Sequence, residues 1–370
     1  MPAAPPYRVV QWATGNIGAR TLRGVIEHPG LELVGVYAHS VAKAGRDAGE
    51  LCGLGPTGIR ATSEIDEILA LDADCVLYTP LACDFDDVCR VLESGANVVS
   101  TRGEFVRPAN LDPDVRKRVE EACARGGTTI HSTGSSPGFI TEALPLVVTS
   151  IQRRLDGLRI DEFADLSQRN SPALLFDVMG FGKPPGEFGE RRLAALRGSF
   201  GPSLEVLADA LGTPLESVDA TGEFAVTPRP LTIAAGTLEP GTVAAQRITV
   251  TGRRGGQAVN SFQPPASSEV NRPQQTPVEQ SSLLTFCATW YCHADLETEW
   301  DLRATGWRLT VDGDAPLHVD LFFPFALEHM AERSPGYTAN RAVNAVPVVC
   351  AAPPGIRTTV DLPQIVAALG

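Results

Sequence analysis

An apolar strand followed by a tight glycine turn opens the chain, and this pattern constrains the fold more than any other. Val9-Val10-Gln11-Trp12 leads into a Gly-x-Gly-x-x-Gly turn in which Ala13 takes the first glycine position. In such a turn Gly15 lets the backbone approach a pyrophosphate, and Gly18 lets the following helix pack closely on the strand. The pyrophosphate sits where unpaired N–H groups of the helix N-terminus point outward. The pattern predicts a dinucleotide site made by Ala13, Thr14, Gly15, Asn16, Ile17 and Gly18.

A second strand gives the turn its context. Leu31 to Tyr37 is apolar and follows a helix predicted over Arg20 to Glu27, which ends at His28-Pro29-Gly30. Strand, helix and strand at this spacing form a β-α-β unit.

The end of that second strand bears on the choice of cofactor. The position about twenty residues after the glycines, where an acidic residue binds the ribose hydroxyls of NAD, holds His39-Ser40, with Lys43 and Arg46 close behind. No carboxylate there repels a 2′-phosphate, and a hydroxyl with two cations suits one. The pattern therefore favours NADP, with NAD still possible. A solvated loop whose charges contact no ligand is the alternative.

Composition limits the classes of partner. With 370 residues the chain is long for one domain and suits two, and its net charge of −13 offers no basic surface to nucleic acid or to an anionic membrane. There is no apolar run of about eighteen residues and no charged and apolar leader. We expect a soluble, cytoplasmic protein.

The cysteines support the same compartment. Eight are scattered along the chain, several inside predicted strands and helices, which suits reduced thiols rather than a disulfide framework. Cys287, Cys292 and His293 are the grouping that most resembles metal ligands. Strand alternation sends the two cysteines to opposite faces, so we predict no metal site.

Alternating strands and helices continue to about residue 150. Strands are predicted at Cys75 to Thr79, Asn97 to Thr101 and Thr128 to Ser132, with helices at Asp84 to Ser94 and Pro113 to Arg125. This alternation predicts an α/β fold, a doubly wound parallel (Rossmann) sheet over residues 1–150, with ligands at the carboxyl ends of its strands.

A different pattern begins after residue 150. Longer alternating segments predict a second, α+β domain over residues 151–335, built on a mostly antiparallel sheet. The predicted strands are Gly157 to Leu166, Ala244 to Gly252, Ser282 to Cys292, Trp300 to Val311 and Leu317 to Phe323, with a helical patch from Pro185 to Leu211 and a hairpin turn from Val311 to Pro316. The segment from Gln263 to Ser281, rich in Pro, Ser and Gln, is predicted to be a mobile loop.

Several motifs together resemble a known superfamily. They are Trp-Ala-Thr-Gly-Asn-Ile-Gly, Ala38-His39-Ser40, Gly45 to Leu51, Ser100 to Phe105, Gly134 to Phe139 and Arg341 to Pro347. The chain resembles the dihydrodipicolinate-reductase-like superfamily and, within it, the native amine dehydrogenase and 2,4-diaminopentanoate dehydrogenase group. The Lys-x-Asp-Ala-Pro-Ser-Gly-Thr signature of true dihydrodipicolinate reductases is absent. The group's Asn-Pro-Gly-Phe is Ser136-Pro137-Gly138-Phe139 here.

The resemblance implies a function, a catalytic residue and an assembly. It implies oxidation of an amine with NAD(P)+ as hydride acceptor, reversible as NAD(P)H-dependent reductive amination of a small ketone or aldehyde with ammonia. Glu104, directly after a predicted strand, matches the group's catalytic carboxylate; a residue that only pairs with Arg102 or Arg107 is the alternative. The resemblance also implies a homodimer and a C-terminal segment, residues 336–370, that returns to the first domain.

Other site residues follow from position. Thr79 and Pro80 should border a ribose of the cofactor, Thr101 should approach the nicotinamide, and Ser136 and Asn344 are candidate carboxamide contacts; each threonine also suits a purely local turn role. Candidate substrate contacts are Phe139, Phe176, Met179, Trp290 and His293. A pocket of such groups suits an uncharged ketone, while Arg153, Arg154 and Arg169 leave a substrate carboxylate open.

Two other functions remain possible at this point. One is an ammonia-independent NADPH-dependent ketone or imine reductase in which Glu104 only orients the substrate. The other is a non-catalytic NADPH-binding sensor. Dependence of turnover on ammonia separates the first from an amine dehydrogenase, and binding without turnover would indicate the second.

Overall fold

A computed structural model describes residues 5–254, 282–293, 296 and 298–368. Its helices are α1 (Asn16–Glu27), α2 (Ala48–Cys52), α3 (Ile65–Leu69), α4 (Phe85–Glu93), α5 (Pro113–Gly126), α6 (Leu144–Thr149), α7 (Glu190–Ala210), α8 (Leu327–Arg333) and α9 (Pro335–Cys350). Its strands are β1 (Tyr7–Trp12), β2 (Leu31–Tyr37), β3 (Ala61–Thr62), β4 (Cys75–Tyr78), β5 (Asn97–Ser100), β6 (Thr129–Ser132), β7 (Leu155–Asp165), β8 (Ser217–Val226), β9 (Leu231–Ile233), β10 (Gly236–Leu238), β11 (Val243–Arg253), β12 (Ser282–Tyr291), β13 (Gly306–Gly313), β14 (Leu317–Phe322) and β15 (Gly355–Arg357).

The first sheet is parallel and covered on both faces, as the sequence predicts. Across the described residues its order is β15-β6-β5-β4-β1-β2-β3. One face packs on α1 and α9, and the other packs on α4 and α5. All four residues of β4 are buried, which fits a strand in the middle of a doubly wound sheet. The predicted fold class is confirmed.

Close packing between α1 and β1 sets the geometry of the first turn. A methyl group at Gly18 would lie 2.2 Å from the carbonyl oxygen of Ala13, so only glycine fits. Ala13 itself has a φ of 70°, in the left-handed region that favours the glycine usually found at this position. The buried Gln11 side chain donates to the Ala13 carbonyl at 2.8 Å and fixes this strained backbone.

The second sheet is mostly antiparallel, as predicted. Its order is β14-β13-β7-β12-β11-β8, and the neighbours are antiparallel except β12 and β7, which are parallel. This parallel pair lies at the centre, where two antiparallel groups of strands meet. Helix α7 packs on the inner face of the sheet.

Details at the ends of these strands differ from the prediction. β13 begins at Gly306 rather than Trp300, and the Trp300 ring stacks on the guanidinium of Arg247, 4.6 Å away. β8 was not predicted; four of its ten residues, Ser217, Asp219, Thr221 and Glu223, are exposed and polar. The turn from Val311 to Pro316 does join antiparallel strands. The Gln263 to Ser281 loop lies outside the described residues.

The domain limits at residues 150 and 335 stay predictions. β15 of the C-terminal segment pairs with β6 of the first sheet. Over the described ranges, no helix is both long and apolar enough to cross a membrane. In the same ranges, no three His, Cys, Asp or Glu residues are grouped so as to hold a metal ion.

Gly18→Ala should destabilise the protein by about 1–3 kcal/mol, because the added methyl meets backbone that cannot move without shifting α1. Denaturant unfolding followed by circular dichroism measures this. Gly15→Ala is the matched control, since a methyl group there meets no atom within 4 Å. Equal stability of the two variants would contradict this account of the turn.

A buried carboxyl lies where the first sheet meets the second. Glu142 is 1% exposed in the segment Ser135–Ala143, and neither of its oxygens forms a hydrogen bond with a described residue. Burial raises the pKa of Glu142 to about 7, although the Ser203 and Thr141 hydroxyls beside it act in the opposite direction. The folded protein therefore holds a proton that the unfolded chain releases at lower pH.

Glu142→Gln should alter how stability depends on pH. Between the ordinary pKa of 4.5 and the raised value of about 7, the unfolded wild type binds fewer protons than the folded one, so wild-type stability falls as pH rises. Relative to wild type, the variant should gain about 1–3 kcal/mol as the pH rises through this window. Chemical unfolding at several pH values tests this. A difference that does not change with pH would contradict it.

Candidate cofactor and substrate site

The glycine turn leaves space at the N-terminus of α1. Gly15 and Asn16 are exposed, and a methyl group on Gly15 would meet no atom within 4 Å. No acidic side chain lies in the first turn of α1. Lys43 reaches over the turn, and its Nζ donates to the Thr14 carbonyl at 2.7 Å. Open backbone N–H groups beside a cation fit an anionic pyrophosphate.

The segment after β2 presents polar groups to solvent. His39, Ser40 and Arg46 are exposed, and the His39 ring meets Tyr37 edge-on at 4.9 Å. Arg46 forms an ion pair at 3.9 Å with Glu50, and both side chains are about half exposed, so the contact is weak. The structure thus keeps a hydroxyl, an imidazole and a guanidinium accessible where an adenosine ribose lies in this fold.

The Thr79 hydroxyl has a structural role that its position in the sequence did not reveal. Its buried hydroxyl donates to the Trp12 carbonyl at 2.9 Å and accepts from Gln11 Nε2 at 2.9 Å. Pro80, next to it, is also buried. The Thr79 hydroxyl therefore ties β4 to the glycine turn and is already satisfied without a ligand.

Unsatisfied hydroxyls gather at the carboxyl end of β6. The oxygens of Ser132, Thr133 and Ser136 are buried, and none forms a hydrogen bond with a described residue. Ser132 pairs in register with Ser100 of β5, and the half-buried Thr101 follows directly. Since buried polar groups are normally satisfied, these hydroxyls fit the polar nicotinamide half of a dinucleotide.

Glu104 lies on the single turn Gly103–Phe105 that follows β5 and packs against β6. Its Oε1 accepts from Arg102 Nη2 at 2.7 Å, while its Oε2 is buried without a hydrogen-bond partner. Its side chain is 27% exposed, so the carboxylate does not point into bulk water. Arg102 in turn donates to the Leu81 carbonyl at 2.8 Å, which fixes the pair at the carboxyl edge of the sheet.

A cavity of about 590 Å³ adjoins this edge. Ser135 and Ser136 form one side, the inner face of the second sheet forms the floor, and α7, α8 and the start of α9 complete the wall. Its lining includes Glu162, Trp290, Trp307, Met179, Arg169 and Arg192. Glu104 is not part of this lining.

The structure separates the predicted substrate contacts. Met179 and Trp290 line the cavity, whereas Phe176, which belongs to the same apolar cluster as these two residues and Leu238, is not part of the lining. Phe139 and Asn344 instead border a second hollow of about 410 Å³, together with Tyr337 and Arg341. His293 lies outside the lining of either space. Neither Phe176 nor His293 is part of the cavity lining, and their roles as substrate contacts stay predictions.

Sequence reasoning missed Glu162, Trp307 and Arg192. Glu162 interrupts the apolar alternation of β7 at Leu158, Ile160 and Glu162, and that signal was available in the sequence. Arg192 lines the cavity because α7 crosses the sheet. Its guanidinium lies 4.7 Å from the centre of the Phe188 ring and donates a hydrogen bond to the Met179 carbonyl. Of the arginines left open for a substrate carboxylate, Arg169 lines the cavity, while Arg153 and Arg154 pair with Asp314 and Asp156.

Comparisons with known proteins agree with this architecture. Residues 9–101 match the family described as "Dihydrodipicolinate reductase, N-terminus". The chain is 32% identical over 225 residues to an amine dehydrogenase from Streptomyces virginiae, covering 58% of this chain and 62% of that protein. It is 24% identical over 225 residues to a 2,4-diaminopentanoate dehydrogenase from Acetoanaerobium sticklandii, covering 57% and 61%.

A solved structure extends the likeness in fold to nearly the whole chain. The structure of an amine dehydrogenase from Mycobacterium smegmatis covers 98% of this chain and 97% of its own, with a TM-score of 0.69 and 20% identity. The sequence matches span about three fifths of the two curated dehydrogenases. The predicted resemblance to this superfamily group is confirmed.

Gly15→Ala should weaken binding of a nicotinamide dinucleotide about 10-fold or more while leaving stability unchanged, because the methyl group occupies space reserved for the pyrophosphate. Titration with NADPH, followed by nicotinamide fluorescence, measures the affinity. Ala13→Gly serves as a control that changes the same turn without adding an atom. Unchanged NADPH affinity in Gly15→Ala would contradict the placement of the pyrophosphate.

Proposed function

We propose that this protein is a nicotinamide-dependent amine dehydrogenase, which oxidises an amine to a ketone or aldehyde and ammonia and also runs in reverse. The observation that carries the proposal is the gathering of unsatisfied polar atoms at the carboxyl ends of β5 and β6, next to the 590 Å³ cavity. Similarity to the Streptomyces amine dehydrogenase supports the choice of carbon–nitrogen chemistry.

The chain's own residues divide the work of binding. The turn from Ala13 to Gly18 holds the pyrophosphate, and the buried hydroxyls of Ser132, Thr133 and Ser136 bind the nicotinamide half. When bound, the cofactor supplies or accepts the hydride. His39, Ser40, Lys43 and Arg46 follow β2, and although Glu50 pairs weakly with Arg46, the hydroxyl and the two cations support NADP as the preferred cofactor over NAD.

Glu104 handles protons in this proposal. In the aminating direction its carboxylate takes a proton from ammonium, passes a proton to the departing hydroxyl of the carbinolamine, and balances the positive charge of the iminium. The buried Oε2, which has no partner among the described residues, is the oxygen available for these steps. Arg102 holds Oε1 and so fixes the direction of the carboxylate.

The ion pair between Glu104 and Arg102 also favours a second candidate. Arg102 Nη2 lies 2.7 Å from Oε1 of Glu104 and holds the carboxylate in one direction, an arrangement that suits a residue that orients the substrate. In that case the protein reduces ketones or imines without ammonia, and Glu104 only orients the substrate. Consumption of NADPH with ketone alone would favour this reductase, whereas strict dependence on ammonia favours the dehydrogenase.

The cysteines bear on the cellular location of the protein, and the edge strands of the second sheet bear on its assembly. All eight cysteines are free thiols, which suits the reducing cytoplasm. Among the described residues, β14 and β8 are the edge strands of the second sheet, and a second copy of the chain can cover such edges, so we propose a homodimer. Light scattering of the purified protein measures its mass in solution.

Glu104→Gln should lower the rate of amine oxidation at least about 100-fold while leaving NADPH affinity within twofold, since only proton transfer is lost. The assay is a panel of amines with NADP or NAD at alkaline pH, followed by nicotinamide absorbance. The matched control is Glu93→Gln, which neutralises another Arg-paired glutamate that lies far along the surface of α4. Unchanged turnover in Glu104→Gln would refute the assignment of Glu104.

A further inference from the structure

Glu162 stands on the apolar face of the second sheet. Residues of a strand alternate between faces, so Glu162 shares its face with Leu158 and Ile160, which are buried in the core beneath α7. The pattern of β7 therefore assigns an apolar side chain to this position. A carboxylate here loses hydration, which costs free energy unless other groups compensate its charge.

Two indole groups hold this carboxylate in place. Trp290 Nε1 donates to Oε1 at 3.2 Å, and Trp307 Nε1 donates to Oε2 at 3.1 Å. Trp307 is the direct cross-strand partner of Glu162, and Trp290 lies on the neighbouring strand β12. One lone pair on each oxygen remains available.

The two indoles fix Glu162 but do not neutralise it, because each is an uncharged donor. Within the described part of the chain, no Lys, Arg or His forms an ion pair with Glu162. Arg192, in the same cavity wall, is engaged by the Met179 carbonyl and by Gln246. Asp165, the other carboxylate of the lining, accepts the Ser167 N–H at 2.8 Å in the turn that ends β7.

Glu162 thus presents a carboxylate without an ion-pair partner to the cavity that also touches Ser135 and Ser136, although the lining also holds the guanidinium groups of Arg169 and Arg192. An apolar wall strengthens the attraction between this carboxylate and a cation, because little water screens it. The ligand chemistry that completes the site is a protonated nitrogen attached to an apolar body. Ammonium hydrogens can occupy the free lone pairs while the carbon skeleton contacts Trp290, Trp307 and Met179.

We propose that Glu162 is a specificity-determining residue that binds the protonated nitrogen of the amine ligand in this cavity. This inference rests on the proposed function for the identity of the substrate class. It assigns recognition of the cation to Glu162 and proton transfer to Glu104. Neutral molecules of the same shape, such as alcohols, then bind more weakly than amines.

The test is direct binding, measured by isothermal titration calorimetry of the full chain without cofactor. The probes are cyclohexylammonium and cyclohexanol, which share one ring and differ in charge; near neutral pH the amine is protonated, as its pKa is about 10. Wild type should bind the ammonium about 10- to 100-fold more tightly, the range of a charge-assisted hydrogen bond. Equal affinity for the two probes in wild type would overturn the proposal without any variant.

Two variants then test which carboxylate causes the preference for ammonium over alcohol. Glu162→Gln keeps an oxygen for one indole N–H but removes the charge, and the preference for ammonium should fall to less than threefold. Asp165→Asn removes the same charge from the same cavity wall without touching either indole, and should retain most of the preference. An equal loss in both variants, or none in Glu162→Gln, would refute the role of Glu162.

The outcome is separable from the proposed function. If no amine is oxidised but wild type still binds the ammonium through Glu162, the inference stands and the dehydrogenase proposal fails. If amines are oxidised and Glu162→Gln leaves KM for the amine unchanged, the dehydrogenase stands and the inference fails. If both hold, Glu162→Gln raises KM about 10-fold or more, whereas Glu104→Gln acts on kcat.

Discussion

The close approach of α1 to β1 is the constraint on which the rest of the structure depends. A methyl group at Gly18 would lie 2.2 Å from the Ala13 carbonyl, so a bare backbone lets the helix begin directly at the edge of the sheet. Gln11 and Thr79 hold the same turn from below through buried hydrogen bonds. Because the strands are parallel, the carboxyl ends of β4, β5 and β6 lie at the same edge of the sheet as this contact. Glu104 and Ser136 follow β5 and β6 and therefore lie at that edge as well.

Two carboxylates near that edge are held in opposite ways. Glu104 is bound by a charged donor, Arg102, and leaves one oxygen buried and unsatisfied. Glu162 accepts hydrogen bonds from two neutral indoles and has no ion-pair partner among the described residues. The physical difference suits different tasks, since a carboxylate with a free oxygen can exchange protons, and one without an ion-pair partner can attract a cation. Their separation on two sheets lets each task be changed independently.

Much of the fold is readable from local sequence. The β-α-β pattern, the helices after Asp84 and Asp112, and the hairpin at Val311 to Pro316 all form as predicted, because periodicity and capping act over a few residues. Aspartates 84 and 112 do accept backbone N–H groups at the helix starts. The parallel pairing of β7 with β12 escaped prediction, because strands 120 or more residues apart leave no local signal about their direction.

The sequence by itself determined the glycine turn, the parallel first sheet, and the presence of Glu104 just after a strand, because each depends on neighbours along the chain. Only the tertiary structure decided the rest of the site. It placed Met179 in the cavity and Phe176 outside it, paired Glu104 with Arg102, and brought Trp290 and Trp307 from separate strands onto Glu162. Those contacts depend on strand order and register, which are set by packing of the whole second sheet and not by any short segment.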